Sequence, residues 1–163
     1  MKIREFTTVD QLGVNKLQDE FMQEFFPEFY TDPRQYQWNA DIYDIDKYYL
    51  QHNGRFWVVE EEEDNIIGVG GFRLVNLNIA EIKRIRIKAC YRGKGLGKAI
   101  IHTIEDYCRR NHIIKILVDT DQRLTTAKTM YEKMGYSVYK TEAVEEGSET
   151  YINYYFQKDL SQV

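Results

Sequence analysis

Polar and apolar residues alternate from Lys2 to Phe6 (Ile3, Arg4, Glu5, Phe6), and the run stops at Thr7-Thr8, residues suited to capping a helix. A short strand entering a helix is predicted. From Val9 to Phe26 the apolar Leu12, Leu17, Phe21 and Phe25 fall roughly on one helical face, and Pro27 and Pro33 interrupt the chain beyond it. Two helical pieces around an irregular joint are expected there. Arg55–Glu60 (Phe56, Trp57, Val58, Val59) and Ile66–Leu74 (Ile66, Ile67, Val69, Phe72) flank Glu61-Glu62-Glu63-Asp64-Asn65. Clustered like charges repel and belong in water, so this reads as a hairpin with a solvated turn.

Ile79–Ile87 alternates with Ile79, Glu81, Lys83, Ile85 and Ile87 on one parity and Ala80, Ile82, Arg84 and Arg86 on the other, a strand pattern. Gly95–Asn111 gathers Leu96, Ile100, Ile104, Tyr107 and Cys108 near one face of an amphipathic helix. A buried strand at Ile113–Val118 and a helix at Thr125–Met134, closed by Gly135, come next. Tyr136–Ala143 and Thr150–Phe156 form a last hairpin around Glu145-Glu146-Gly147-Ser148. The order β-α-α-β-β-β-α-β-α-β-β predicts a mixed sheet with helices on both faces. No repeat or low-complexity linker divides the chain, so residues 1–163 are expected to form one domain.

Composition narrows the partners. With 22 basic and 26 acidic side chains in 163 residues the net charge is −4, which offers no general attraction to phosphate backbones or anionic lipid. Neither nucleic acid nor membrane is an expected partner. The amino terminus lacks the apolar core of a signal peptide, and no stretch approaches the ~18 apolar residues that span a bilayer. The cytoplasm is therefore the expected location. Cys90 and Cys108 form no Cys-x-x-Cys pair, and His52, His102 and His112 lack metal-ligand spacing, so no metal is expected.

The stretch Phe21–Tyr49 crowds aromatics (Phe21, Phe25, Phe26, Phe29, Tyr30, Tyr36, Trp38, Tyr43, Tyr48, Tyr49) among Glu20, Glu24, Glu28, Asp32, Asp41, Asp44 and Asp46. Two readings fit it: aromatics covering a core while carboxylates face water, or a wall that binds a cation.

The chemistry concentrates after the Ile79–Ile87 strand. Tyr91-Arg92-Gly93-Lys94-Gly95-Leu96-Gly97-Lys98 joins that strand to a helix, where backbone N–H groups and the helix dipole make an anion seat. Alternating glycines let the backbone approach a ligand closely, and Arg92, Lys94 and Lys98 add positive charge to an acidic chain. A nucleoside-triphosphate P-loop fails here: Ala99 stands where a hydroxyl would bind magnesium, and position 92 is not glycine. A dinucleotide fingerprint fails too, since Gly93-x-Gly95 leads to Lys98 and Gly95-x-Gly97 to Ile100.

The segment Arg92-Gly93-Lys94-Gly95-Leu96-Gly97 resembles the Arg/Gln-x-x-Gly-x-Gly/Ala signature of the GCN5-related N-acetyltransferase (GNAT) family. The likeness extends from Ala80-Glu81-Ile82-Lys83-Arg84 through Leu117-Val118-Asp119-Thr120 to Ala127–Tyr136, which is similar to the family's Ala-x-x-Leu-Tyr-x-x-x-Gly-Phe/Tyr helix end. It implies an α/β (α+β) fold with a mixed, mostly antiparallel central sheet of about seven strands flanked by helices. That sheet would be splayed between strands 4 and 5 to admit acetyl-CoA, the expected cosubstrate. The implied activity is acetyl-CoA-dependent transfer of an acetyl group to a primary amine, by direct attack through a tetrahedral intermediate. A non-catalytic acyl-CoA-binding sensor or scaffold is the alternative.

Such transfer needs an anchored donor, a neutral amine, a stabilised oxyanion and a proton for the departing thiolate. The backbone N–H groups of Gly93, Lys94, Gly95, Leu96, Gly97 and Lys98 would hold the pyrophosphate. The resemblance adds that the pantetheine arm pairs with Ile85, Arg86 and Ile87, and that the Ile87 N–H polarises the thioester. Glu81, eleven residues before Arg92, matches the spacing of a general-base glutamate in some members. Tyr131 matches the tyrosine that protonates the thiolate. Leu124 departs from an asparagine that many members carry, which leaves contacts near Thr120 and Lys128 less defined. The acceptor is expected to be a small-molecule amine rather than a protein, and edge pairing by the hairpin Ser137–Phe156 allows a homodimer.

Overall fold

In the computed structural model, which describes residues 1–29, 36–62 and 65–161, the first turn shows how local chemistry sets the elements. β1 (Lys2–Glu5) ends at Thr7, in extended backbone, and the Asp10 carboxylate accepts from the Thr7 N–H at 2.8 Å and its hydroxyl at 3.1 Å. A 3-10 turn at Thr8–Asp10 then leads into α1 (Gln11–Phe25), which buries Val14, Leu17, Gln18, Phe21 and Met22. Leu12, grouped with the apolar face by its spacing, is 74% exposed because the buried seam starts at Val14 instead. Tyr30, Asp32, Pro33, Glu63 and Asp64, named above for their sequence pattern, lie outside the described residues.

The elements assemble into one seven-stranded sheet flanked by helices, in the order β1-β2-β3-β4-β5-β7-β6, with β4 and β5 the parallel pair. This is the mixed sheet that the element order predicted, mostly antiparallel as the resemblance implied. The chain divides into two compact units, Met1–Leu74 with Lys83–Ile104 and Val75–Ile82 with Glu105–Val163.

In the first unit β2 (Arg55–Glu60) pairs antiparallel with β1, from Lys2–Glu60 to Glu5–Trp57, and with β3 (Ile66–Asn76), from Arg55–Phe72 to Val59–Gly68. Its core joins Phe6, Val14 and Leu17 to Ile42, Tyr49, Phe56 and Val69, each contributing about 1.5–3 kcal/mol of burial for a large apolar side chain. The segment after α1 is a 3-10 stretch, Gln37–Tyr43, followed by the short α2 (Ile45–Tyr48), whose start the Asp44 carboxylate caps through the Lys47 N–H. β3 is glycine-rich for a packing reason. A Cβ on Gly70 would meet Ile85 Cδ1 at 2.5 Å and Ile100 Cγ2 at 2.8 Å, and one on Gly68 would meet Ile87 Cδ1 at 2.9 Å.

β4 (Ile79–Ile87) has the predicted bounds but not an unbroken alternation: Arg84 takes φ +61°, a left-handed conformation inside a strand. α3 (Leu96–Arg110) follows the glycine loop.

In the second unit β4 runs parallel to β5 (Lys115–Asp121) from Ile79–Lys115 to Ile82–Val118. β5 pairs antiparallel with β7 (Glu149–Asp159), and β7 with β6 (Ser137–Glu146) around a turn with Gly147 at φ +64°. β6 ends the sheet, and its register against β7 shifts between Val138 and Lys140. α4 (Thr125–Lys133) closes on Gly135 at φ +86°, the left-handed cap expected there, with the Tyr136 N–H on Tyr131 O at 3.1 Å. Among the described residues no helix is long and apolar enough to cross a membrane, and no group of three or more His, Cys, Asp or Glu could hold a metal.

Candidate functional site

The glycine loop lies in the first unit, between a 3-10 turn at Ala89–Tyr91 and the start of α3 at Leu96. Gly93 and Gly95 adopt φ +76° and +81°, and nothing stands within 4 Å of where a Cβ would be. The glycines are there for backbone handedness, and the loop surface is open to a ligand. The first α3 bond runs from the Ala99 N–H to Gly95 O at 3.0 Å. The N–H groups of Leu96, Gly97 and Lys98 therefore belong to a first turn that has no helical acceptor for them, at the positive end of the dipole.

Arg92, one of the three cations of that loop, is also bonded to the body of the unit. Its Nη1 and Nη2 lie 2.5 and 2.8 Å from Glu24, its Nε donates to Ile87 O at 3.0 Å, and its guanidinium sits 5.1 Å from the Phe25 ring. A side chain this committed ties the loop to α1, and the hydrogen bond from Arg92 holds the Glu24 carboxyl below its usual pKa. Lys94 and Lys98 are exposed on the loop, Lys94 lying 5.0 Å from the Tyr91 ring. The Tyr91 hydroxyl donates to Glu61, which pushes its pKa up to about 12, so part of the acidic turn is engaged with the protein rather than only with water.

Upstream, Ile85, Arg86 and Ile87 are half-buried. The Lys88 N–H bonds to Ile67 O of β3 at 2.8 Å, so strand alternation turns the Ile87 N–H to the other edge of β4. Arg86 stacks 3.8 Å from the Phe21 ring centroid, with Nε on Gln18 at 3.3 Å and Nη1 on Ile85 O at 3.1 Å. Glu20, Phe21 and Glu24 of α1 meet Lys88, Arg86 and Arg92 directly, leaving only a shallow dent of about 20 Å³ between them.

The aromatic and acidic stretch is only partly a core with solvated carboxylates. Phe21, Phe26 and Tyr49 are buried, but so is Asp41 at 7% exposure. Glu20 lies 3.7 Å from Lys88, Asp19 accepts from the Tyr43 hydroxyl at 2.5 Å, and Asp46 accepts from Gln51 at 2.7 Å. These carboxylates are engaged by the protein's own donors, which weakens the cation-binding reading of the stretch.

In the second unit Glu81 is half-buried opposite Leu117, which in turn pairs with Gln157; directly paired residues share a face of the sheet. Tyr131, 4% exposed, packs its ring 5.6 Å from Tyr136 and 5.7 Å from Phe156. Phe156 pairs with Val118 and Val118 with Ile82, the opposite parity. Glu81 and Tyr131 thus stand on opposite faces of this part of the sheet. Thr120 is buried, Leu124 precedes α4 without a side-chain cap, and Lys128 pairs with Glu132 at 3.1 Å.

Sequence reasoning missed the polar company on the Glu81 face. Asp119 accepts from Asn153 at 3.1 Å, and the Tyr155 hydroxyl donates to Glu142 at 2.9 Å. The signal was available as parity, since Lys115, Leu117, Asp119 and Asp121 alternate with buried Ile116, Val118 and Thr120.

A model of the Acetyltransferase (GNAT) family matches residues 14–136, more than half of the chain. The chain belongs to the GNAT acetyltransferase family. It is 29% identical over 98 residues, 60% of its length, to the N-acetylaspartate synthetase of Xenopus tropicalis, and 29% identical over 103 residues, also 60% of its length, to human N-acetyltransferase 8. It spans only 36% and 45% of those relatives. Among solved structures, yncA of Salmonella typhimurium, described as a putative acetyltransferase with its cofactor acetyl-CoA, aligns over 100% of this chain and 95% of its own with a TM-score of 0.77 at 14% identity. At that identity the likeness is one of fold.

Proposed function

We propose that residues 1–163 work as an acetyl-CoA-dependent N-acetyltransferase domain whose acceptor is the primary amine of a small molecule. The observation that carries the reading is the open loop at the α3 N-terminus, with Gly93 and Gly95 left-handed and a first turn whose N–H groups have no acceptor within the helix. Those residues fit a pyrophosphate: the N–H groups of Gly93 to Lys98 bind it, while Lys94 and Lys98 add charge. Ile85, Arg86 and Ile87 line the donor's arm, and the Ile87 N–H donates to the thioester oxygen as charge develops there. Acetyl-CoA supplies the activated acyl carbon.

Glu81 takes the proton of the incoming ammonium, the freed amine attacks the acyl carbon, and the carbon–sulfur bond breaks. Tyr131 gives its phenolic proton to the thiolate and is reprotonated from solvent, while the second proton that the nitrogen sheds as the amide forms passes to water. Glu81 is half-buried on the ordered β4–β5–β7 ladder, Tyr131 is buried beside Phe156 of the same ladder, and their match to the family pattern supports these roles. One relative is named for N-acetylaspartate synthesis, so aspartate belongs in the acceptor set tested first.

Calorimetry with acetyl-CoA, using NAD as the control, tests the donor site; binding that Gly95→Asp abolishes is expected. Thiol release from acetyl-CoA in the presence of aspartate, tyramine, spermidine or lysine tests transfer. Glu81→Gln should lower turnover most below the pKa of the amine, and Tyr131→Phe should slow it while donor binding persists. A folded chain that binds no acetyl-CoA would overturn the reading.

A further inference from the structure

Among the described residues three non-glycine residues have positive φ, Asn53, Arg84 and His112, and Arg84 is the one inside a strand. A left-handed residue with a side chain is strained, and such strain persists only where the surroundings enforce it. The enforcing contacts all lie in the first unit. Arg84 Nε and Nη2 reach the two carboxylate oxygens of Asp41 at 3.1 and 2.5 Å, and Nη2 also donates to Trp38 O at 2.5 Å. The same carboxylate accepts from the Tyr49 hydroxyl at 2.5 Å, and the Arg73 guanidinium lies 5.6 Å from the Tyr49 ring centroid. Side-chain exposures of 13% for Arg84 and 9% for Asp41 mean that the charges meet away from water. Burial alone would raise the Asp41 carboxyl, and the guanidinium outweighs it, holding the acid ionised.

We infer that the Asp41–Arg84 pair is a latch that holds β4 in its broken conformation, and thereby aims the backbone of Ile85 to Ile87 at the donor. Asp41 and Arg84 are positioning residues, and this inference rests on the acetyl-transfer reading above. A strand needs no left-handed residue to pair, and a buried ion pair is a poor way to gain stability alone. What the break does is reset the direction of the peptide groups beyond it. The Ile85 and Ile87 carbonyls, just past the break, are further pinned by Arg86 Nη1 and Arg92 Nε, so the whole run is fixed by guanidinium groups. The latch reaches 43 residues back, to the 3-10 stretch after α1, and couples that segment to the strand.

Removing one partner alone strands a buried charge and endangers the fold, so the test replaces both in the full chain. Asp41→Leu/Arg84→Leu removes the pair and leaves a residue ill at ease with positive φ, whereas Asp41→Leu/Arg84→Gly removes the pair and restores that ease. Arg84→Lys keeps the charge but loses the fork, and serves if the leucine pair does not fold. Each folded variant is measured for acetyl-CoA affinity by calorimetry, for kcat with the panel amine that the wild type uses fastest, and for amide hydrogen exchange at Ile85 to Ile87. The expected result is affinity within about threefold of wild type and kcat lowered on the order of 10- to 100-fold in the leucine pair. Faster exchange at Ile85 to Ile87 accompanies that loss, and the glycine pair recovers both.

Wild-type kcat and exchange in a folded leucine pair, or in Arg84→Lys where that pair does not fold, would overturn the latch. A wild-type chain that neither binds acetyl-CoA nor releases its thiol would overturn the acetyl-transfer reading instead. Exchange at Ile85 to Ile87 would then decide the conformational part alone.

Discussion

Each unit of the molecule buries an ionic cluster, and the two clusters differ in what they hold. In the second unit the Glu105 carboxylate, 1% exposed, accepts from Lys158 Nζ at 2.8 Å and from the Tyr136 hydroxyl at 2.9 Å, while Lys158 also caps Met134 O at 2.8 Å. It joins α3 to β7 and to the end of α4 through residues in ordinary conformations. Burial first, and the neighbouring Glu105 second, raise the pKa of the Tyr136 hydroxyl well above its ordinary value and keep it a neutral donor. In the first unit Asp41 holds an arginine whose backbone is strained, directly upstream of Ile85 to Ile87. The chemistry is the same. One cluster fastens elements together, and the other sets the direction of a strand.

The sharpest way to break this distinction is to remove one acid from each cluster. Asp41→Leu and Glu105→Leu should each cost about 3–5 kcal/mol in urea unfolding, because each leaves a buried cation uncompensated. Only the first should also lower kcat of the folded fraction; a matching loss in Glu105→Leu would erase the contrast. Next in size, Glu105→Leu/Lys158→Met should recover stability to within about 2 kcal/mol of wild type, as paired apolar replacements do.

A smaller effect is expected with acid. The Asp41 carboxyl titrates below its ordinary 3.8 in the folded chain, so its contribution is present above that value and is lost as pH falls through the folded pKa. Thermal unfolding between about pH 5 and pH 2 should therefore show a weaker pH dependence for Asp41→Asn than for wild type. Smallest of all, Arg109→Ala should change stability by about 0.5 kcal/mol or less. Its guanidinium is 43% exposed and lies 3.4 Å from Glu105, a contact that water screens.

The sheet was legible because period-two runs are local. Ile79–Ile87 matched β4 residue for residue, and the loop from Arg92 to Lys98 announced both its glycines and its place before a helix. The latch was not legible. Ile82, Arg84 and Arg86 continue an alternation that looks unbroken, and the acid that breaks it sits in a run that reads as solvated surface. Glu105 hid in the same way, as one more polar residue on an amphipathic helix, because its partners arrive 31 and 53 residues later. Local pattern carries elements well, whereas buried charge depends on contacts that no window of sequence contains. For the same reason the bond from Arg92 to Glu24, 68 residues back, was out of reach of the sequence pattern.

The glycines of β3 bear on the order in which the chain can acquire its structure. Gly68, Gly70 and Gly71 deprive the strand of side chains that would favour it on its own, and each loses more backbone freedom on ordering than any other residue would. What compensates is close approach from both directions, by Phe56 and Val59 upstream and by Ile85, Ile87 and Ile100 downstream. β3 can therefore begin to pack on β2 as soon as both strands exist, but it gains its full set of neighbours only once Ile100 is part of the chain.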